Sequence, residues 1–229
     1  MIRLAFAFCL AAALAFPQSA TLSRTMTEGT HRMELVLERL DRDTWRTIDP
    51  GLVLAQGDRV RFKFRTNFDG YLYVMNQSTS GNYEQLFPTD QAGQDNRISA
   101  SKEYQVPATS AAFRIAGPAG HEVVYWLVTP GRLNEGAPRY QPPPARKAPP
   151  AALIPRCDDT ILKSRGDCVD PTAGPKLVPR GETMPQNFTL GLGREPRDLL
   201  FMRQKNTAVI SSPVSLTGPV IYEYRLAHR

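Results

Sequence analysis

The chain has few of the residues from which metal and redox centres are built. Its 229 residues hold three histidines and three cysteines. His31, His121 and His228 lie far apart, in no His-x-x-x-His or comparable ligand spacing. Cys157 and Cys168 have no histidine or third cysteine beside them, so they do not spell a zinc site. There is no Cys-x-x-Cys pair and no Gly-x-Ser-x-Gly elbow, which removes the usual signatures of a dithiol redox centre and of an α/β-hydrolase nucleophile. Beyond the first 16 residues there is no long apolar run, and no stretch between Thr30 and Val128 repeats with the 3.6-residue period of an amphipathic helix. No catalytic residue, cofactor-binding residue or metal ligand is therefore assigned, and no cofactor is expected.

Proline and positive charge are present in excess, and both are local. Twelve of the 20 prolines fall between Ala137 and Leu200. Residues 21–136 carry 13 Lys/Arg against 14 Asp/Glu, a net of −1, whereas residues 137–229 carry 14 against 8, a net of +6. A basic C-terminal part attached to a neutral body argues against a nucleic-acid-binding protein.

The N-terminus predicts export. Arg3 precedes the apolar run Leu4 to Phe16, and the small residues Ser19 and Ala20 follow. One charge, a short apolar segment and small residues describe a cleaved signal peptide over residues 1–20. A run of 13 residues is shorter than the roughly 20 that span a bilayer as a helix. The mature chain is thus expected in the periplasm or outside the cell, with no membrane span. Cys9 leaves with the signal, and Cys157 and Cys168 remain as an even pair in an oxidising compartment. A disulfide between them closes a short loop, worth about 3 kcal/mol in the chain-entropy account.

Residues 27–136 read as an all-β domain, an antiparallel sandwich of about eight short strands. Apolar and polar residues alternate, with turn residues every 8 to 12 positions. Met33, Leu35 and Leu37 face one way and Glu34 and Glu38 the other; Trp45 to Ile48 follows, stopped at Pro50-Gly51. Val60, Phe62 and Phe64 alternate with Arg59, Arg61, Lys63 and Arg65. Asn67-Phe68-Asp69-Gly70 reads as a hairpin loop pairing Thr66 with Tyr71, which sets Phe64 beside Tyr73 and Phe62 beside Met75 on the core face. Leu72 and Val74 then point outward, covered in part by the stems of Arg65 and Lys63. Tyr71 to Gln77 and Val123 to Val128 are apolar on both faces and are predicted as central strands. Tyr83 to Phe87, Tyr104 to Val106 and Ala112 to Ala116 complete the set.

Residues 137–207 form a Pro-rich, disulfide-bearing extension, with Gln141 to Pro150 as an extended spacer and Asp198 to Gln204 as a short helix. Residues 208–229 hold a last alternating segment, Val220 to Leu226. A lone strand is not stable in water, so it is predicted to return to the sandwich.

The candidate surface features are weak. Arg59, Arg61, Lys63 and Arg65 form a candidate anion-binding stripe, against which stands a solvated face paired with Glu34 and Glu38. No aromatic residue is expected on that face, which disfavours single-stranded nucleic acid. Asp90, Asp95 and Asn96 around Gly93 lack the full calcium-loop pattern. Asp158, Asp159, Asp167 and Asp170 are interspersed with Lys163 and Arg165 near the cysteines. Ser99-Ala100-Ser101-Lys102 matches Ser-x-x-Lys without its companion Lys-Thr-Gly. The three histidines are expected at the surface or in turns.

Taken in order, several segments carry a resemblance. They are Gly57-Asp58-Arg59-Val60-Arg61-Phe62, then Asn67 to Gln77 with Gly70, Tyr71 and Tyr73, then Leu86-Phe87-Pro88, Asn96-Arg97-Ile98, Tyr104-Gln105-Val106-Pro107 and Phe113 to Val128. This series resembles the domain-of-unknown-function 4384 family of bacteria, over about residues 57–128. The resemblance implies an exported or envelope-facing module. Relatives often carry it beside kinase-like or caspase-like domains, and nothing outside the match reads as either. The family brings no established catalytic residues, and Gly70, Tyr71, Tyr73, Leu86, Phe87 and Pro88 look structural. The expected function is non-catalytic: binding or scaffolding an envelope protein or polysaccharide in the bacterial cell envelope. A polysaccharide- or small-ligand-binding domain and a cryptic hydrolase are the alternatives.

Overall fold

A computed structural model describes residues 31–129, 131–133, 155, 157, 168–178, 199–212 and 219–229. The expected signal peptide, Cys9 and the spacer at residues 141–150 lie outside them. The described residues form thirteen strands and no helix. In chain order these are β1 (His31–Asp41), β2 (Thr44–Thr47), β3 (Arg59–Thr66), β4 (Gly70–Gln77), β5 (Tyr83–Phe87), β6 (Arg97–Ile98) and β7 (Glu103–Val106). There follow β8 (Phe113–Arg114), β9 (Gly120–Thr129), β10 (Gly174–Lys176), β11 (Leu200–Gln204), β12 (Thr207–Ser212) and β13 (Val220–His228).

Two antiparallel sheets pack face to face as a β-sandwich. The first has the order β11-β12-β1-β3-β7, with β2 on β1 and β8 on β3; the second is β10-β13-β9-β4-β5, with β6 on β4. The alternation read in β1 and β3 is the burial pattern observed: Met33, Leu35, Leu37, Val60, Phe62 and Phe64 are buried and face the second sheet. Trp126 on β9 reaches across the interior to Phe62 and Phe64, with ring centroids at 5.1 and 5.4 Å. Such aromatic contacts add about 0.5–1.5 kcal/mol each beyond the area they bury.

The expected hairpin between β3 and β4 does not form. β3 pairs with β1, β7 and β8, and β4 pairs with β9, β5 and β6 in the opposite sheet. The loop therefore carries the chain from one sheet to the other. Its polar side chains reach outward, with Asn67 accepting from the Arg32 amide at 2.7 Å and Asp69 from the Ala100 amide at 2.7 Å. Gly70 lets β4 lie against β9, since a Cβ there would meet the Thr129 carbonyl at 2.7 Å. The phase is corrected with the pairing. Leu72 and Val74 face the main core, while Tyr73 and Met75 face outward. The physical reason is the unequal outer faces. β3 is charged there and β4 apolar, so one sheet would have set cations against an uncovered apolar row. Apart, each face finds its own cover.

That cover comes from the C-terminal part of the chain. Outside the second sheet, Met75, Tyr83, Tyr125, Leu127 and Ile221 form a second apolar cluster with Tyr73, Val123, Leu133 and Val178. The Leu133 amide donates to the Tyr73 hydroxyl at 3.0 Å. Lysine and arginine stems from β3 take no part in this cluster. Both β4 and β9 are interior strands of their sheet, as their two apolar faces predict.

The extension returns four strands rather than one. β13 pairs with β9 along its whole length, Val220↔Val128 to His228↔Gly120. β12 pairs with β1 and β11 with β12, so the helix expected at Asp198 to Gln204 is instead an edge strand. The sequence Leu-Phe-Met-Arg-Gln is too short to distinguish a helical turn from a strand by periodicity, and pairing with β12 settles it. Cys157 and Cys168 are disulfide-bonded with Cα atoms 4.9 Å apart, and they pack on Val53 and Ala227. The Val53 amide donates to the Cys168 carbonyl at 2.7 Å and the Asp170 amide to Gly51 at 2.7 Å, stitching this segment to the body.

Tyr222 and Tyr224 on β13 are fully buried. Burial pushes both phenols up, with the neighbouring Tyr224 adding to the effect on Tyr222 and Arg203 partly opposing it on Tyr224. A raised folded value means the fold favours the neutral phenol. The unfolded chain ionises above the ordinary value of 10.0 while the fold does not, so stability is intact below that pH and falls as pH rises beyond it. A titration followed by tyrosinate absorbance is expected to show these two phenols ionising only with unfolding, and Tyr222→Phe/Tyr224→Phe to flatten the alkaline fall in melting temperature. A second expectation follows from the topology. A fragment of residues 53–132 lacks β1, β12 and β13, each an interior strand. Its amide spectrum should be that of an unfolded chain, whereas a chain of residues 21–229 gives dispersed signals.

Candidate functional site

The sandwich is open along one side. β5 is the edge of the second sheet, and β7 and β8 both flank β3 in the first. Between them lies a cleft of about 630 Å³. Its floor is apolar core, Phe62, Val124 and Leu226. One wall is Glu84, Gln85 and Leu86 of β5 with the loop Thr89 to Ala92; the other runs from Pro107 through Ala111 to Ala116.

Both walls are held by backbone geometry. The Ala92 amide donates to Thr89 Oγ1 at 2.9 Å, and the Ala108 amide to the Ala92 carbonyl at 2.6 Å. Thr109 Oγ1 donates to the Gln91 carbonyl at 2.8 Å. Gly93 sits at φ +104°, in the left-handed region, and a Cβ there would stand 2.8 Å from that of Ala108.

A polar cluster closes the inner end. Glu122 and His228 lie on the core faces of the paired strands β9 and β13, and Asn76 comes from β4. Glu122 Oε2 accepts from Asn76 Nδ2 at 2.6 Å. Its Oε1 has only long contacts, 3.4 Å to the Thr79 amide and 3.5 Å to His228 Nε2. Glu122 is 8% exposed and His228 1%. Among the described residues, Asn76 Oδ1, Thr79 Oγ1 and both ring nitrogens of His228 are buried without a hydrogen-bond partner. Buried polar atoms are almost always paired, so four such atoms in one place mark the cluster as chemically unsatisfied.

The cluster was not visible in the sequence. Asn76, Glu122 and His228 are brought together only by the β4–β9–β13 pairing, and no spacing links them. His228 is also not the surface or turn residue expected. His228 is buried on β13, and His121 on β9 is 3.3 Å from Asp170 and 3.3 Å from Thr172 Oγ1. His31 on β1 lies edge-on to Phe68 at 4.7 Å, and burial pulls its pKa down.

The cationic stripe lies on the far side of the first sheet. Arg61 Nε donates to Glu38 at 2.6 Å, and Lys63 stands 3.5 Å from Glu38 and 3.3 Å from Glu103. Arg65 Nε donates to Glu34 at 3.0 Å, and Arg32 also reaches Glu34. Arg59 is exposed and registers opposite Arg114. An aromatic ring does lie on this face, because β2 folds onto β1 and brings Trp45 4.2 Å from the Arg61 guanidinium.

The remaining candidates do not converge. Ser99 and Lys102 flank a turn between β6 and β7, and Lys102 lies over the Tyr104 ring at 5.0 Å. Asp90 accepts from Gln94, Asp95 from the Arg97 amide, and Asn96 turns inward to the Leu72 carbonyl. Asp158, Asp159 and Asp167 lie outside the described residues, as do Lys163 and Arg165. Among the described residues no three His, Cys, Asp or Glu side chains converge as a metal site. Gly70 and Phe87 are buried and Leu86 lines the cleft. No helix among the described residues is long and apolar enough to cross a membrane.

The carboxylates beside the stripe set its chemistry. Glu34→Gln with Glu38→Gln leaves Arg61 and Arg65 uncompensated and Lys63 with Glu103 alone. The expected results are a loss of about 1–3 kcal/mol in denaturant unfolding and longer retention on a sulfated polysaccharide column than wild type.

No curated protein and no solved structure matches the chain. Residues 53–132, from Val53 through β9 and including both walls of the cleft, match the family described as Domain of unknown function (DUF4384), and those residues carry that domain.

Proposed function

We propose that this protein is an exported, non-catalytic binding module of the bacterial cell envelope, and that its ligand or partner segment enters the cleft between the two sheet edges. The observation that carries the reading is the cleft itself. It joins an apolar floor and a largely apolar wall to a wall carrying Glu84, Gln85, Thr89, Asp90 and Gln91, the combination found in ligand sites. The walls are pinned by the contacts of Thr89, Ala92, Ala108 and Thr109, so the shape is present before anything binds. Preorganisation of that kind reduces the ordering cost of binding.

The non-catalytic reading follows the family resemblance, which brings no established catalytic residues. Export rests on the apolar run at Leu4 to Phe16 and on the Cys157–Cys168 disulfide, which suits an oxidising compartment. The partner class is an envelope protein or polysaccharide, and nucleic acid is disfavoured because the cations of β3 face carboxylates.

Ligand binding raises the melting temperature by mass action. Screening mature protein against envelope polysaccharide fragments and envelope-protein peptides should find a ligand that shifts the wild type. Ala112→Trp, which fills the cleft from its exposed wall, should keep the fold and abolish that shift. A ligand that stabilises both proteins equally would place binding elsewhere.

A further inference from the structure

We propose that the inner end of the cleft is a site for a primary ammonium group carried on an apolar body, with Glu122 as its counter-ion. The inference rests on the cleft being the binding site and names the chemistry that the site selects.

Glu122 is a nearly buried carboxylate whose two oxygens are unequally served. Asn76 satisfies Oε2 at 2.6 Å, and Oε1 has nothing closer than 3.4 Å. A buried carboxylate short of partners is costly, and a cation with donors removes the deficit. Asn76 Oδ1 and Thr79 Oγ1 are buried and unpartnered beside it. The amide orientation of Asn76 is fixed, because turning it would set its oxygen against the carboxylate. Two oxygen acceptors and a carboxylate oxygen without a short hydrogen bond match an ammonium, which has three donors and no acceptor.

The charge of the cleft points the same way. Among the described residues Glu84, Asp90 and Glu122 line it against a single cation, Arg114, in a chain whose net charge is +6. The floor of Phe62 and Leu226 suits the apolar body. A divalent metal fits less well, since Glu122 is the one carboxylate in the cluster. The other side chain near Glu122 Oε1 is His228. It lies 3.5 Å from Glu122 at Nε2, beyond a normal hydrogen bond, and neither ring nitrogen is engaged. It is 1% exposed, the buried and unpartnered group expected where a further polar occupant belongs.

The test uses the full chain at pH 8, with benzylamine as probe and benzyl alcohol and benzoate as controls. Calorimetry should show benzylamine binding wild type at least tenfold more tightly than benzyl alcohol, with benzoate weakest. Glu122→Gln should bring benzylamine to the level of benzyl alcohol. Asn76→Ala, which keeps the carboxylate and removes one acceptor, should weaken benzylamine severalfold and serves if Glu122→Gln does not fold. Equal binding of amine and alcohol, or an amine preference that survives Glu122→Gln, overturns the ammonium assignment and leaves the cleft standing. Binding that Ala112→Trp does not affect, or no binding by any probe, overturns the assignment together with the cleft. A lysine peptide and its acetyl-lysine counterpart distinguish the source of the group. Selective binding of the unmodified peptide, more tightly than benzylamine, assigns it to a lysine side chain of a partner, and the reverse order assigns it to a free amine.

Discussion

The interior strands of the second sheet are apolar on both faces, and the rest of the structure answers that constraint. β4 and β9 bury Leu72, Val74, Val124 and Trp126 against the first sheet, and Met75, Tyr125 and Leu127 on the other side. One face is satisfied by forming the sandwich. The other needs a second cover, which Leu133 and Val178 help to provide from beyond the second sheet. At about 25 cal/mol per Å² of apolar surface, leaving such a face in water costs several kcal/mol, a large part of a domain's net stability. The C-terminal part is therefore a structural component of the domain and not a tail.

This explains why the family match is narrower than the folding unit. Residues 53–132 supply β3 to β9, but β1, β12 and β13 occupy interior positions in the two sheets. The Pro-rich stretch separates these strands in sequence without separating them in space. The disulfide and the contacts of Asp170 with Gly51 and His121 fasten the returning segment beside the body. The open side, where β5 and the β7–β8 segment do not pair, is what remains accessible. The cleft and its unsatisfied inner end follow from that gap.

Charge acts separately from these apolar constraints. The +6 total arises beyond residue 136, yet the densest row of cations lies on β3, in the neutral body. Cross-strand register sets Glu34 opposite Arg65 and Glu38 opposite Arg61, so the row is largely neutralised where it stands. A one-residue slip would have turned the same side chains into the core. Register fixed by Leu35 and Phe64 inside thus determines which ion pairs form outside.

The strands themselves were readable because period-two alternation is a local property. β1, β3, β5 and β9 fall close to where their residues predict them, and β13 returns because a solitary apolar strand has nowhere else to go. Partner choice was not readable. Asn67 to Gly70 spells a tight loop whether the chain turns back within one sheet or passes to the other, and only the mismatch between a charged and an apolar outer face decides between them. The Leu200 to Gln204 segment is likewise ambiguous until β12 lies beside it. Glu122, Asn76 and His228 carry no spacing signal, since each comes from a different strand and they meet through pairing. The all-β class, the central strands and the family resemblance rest on local pattern and are legible in the residues alone. Tertiary structure alone decided the sheet assignment, the cover on the second sheet and the polar cluster in the cleft. Those depend on which faces lie opposite one another once non-local strands have paired.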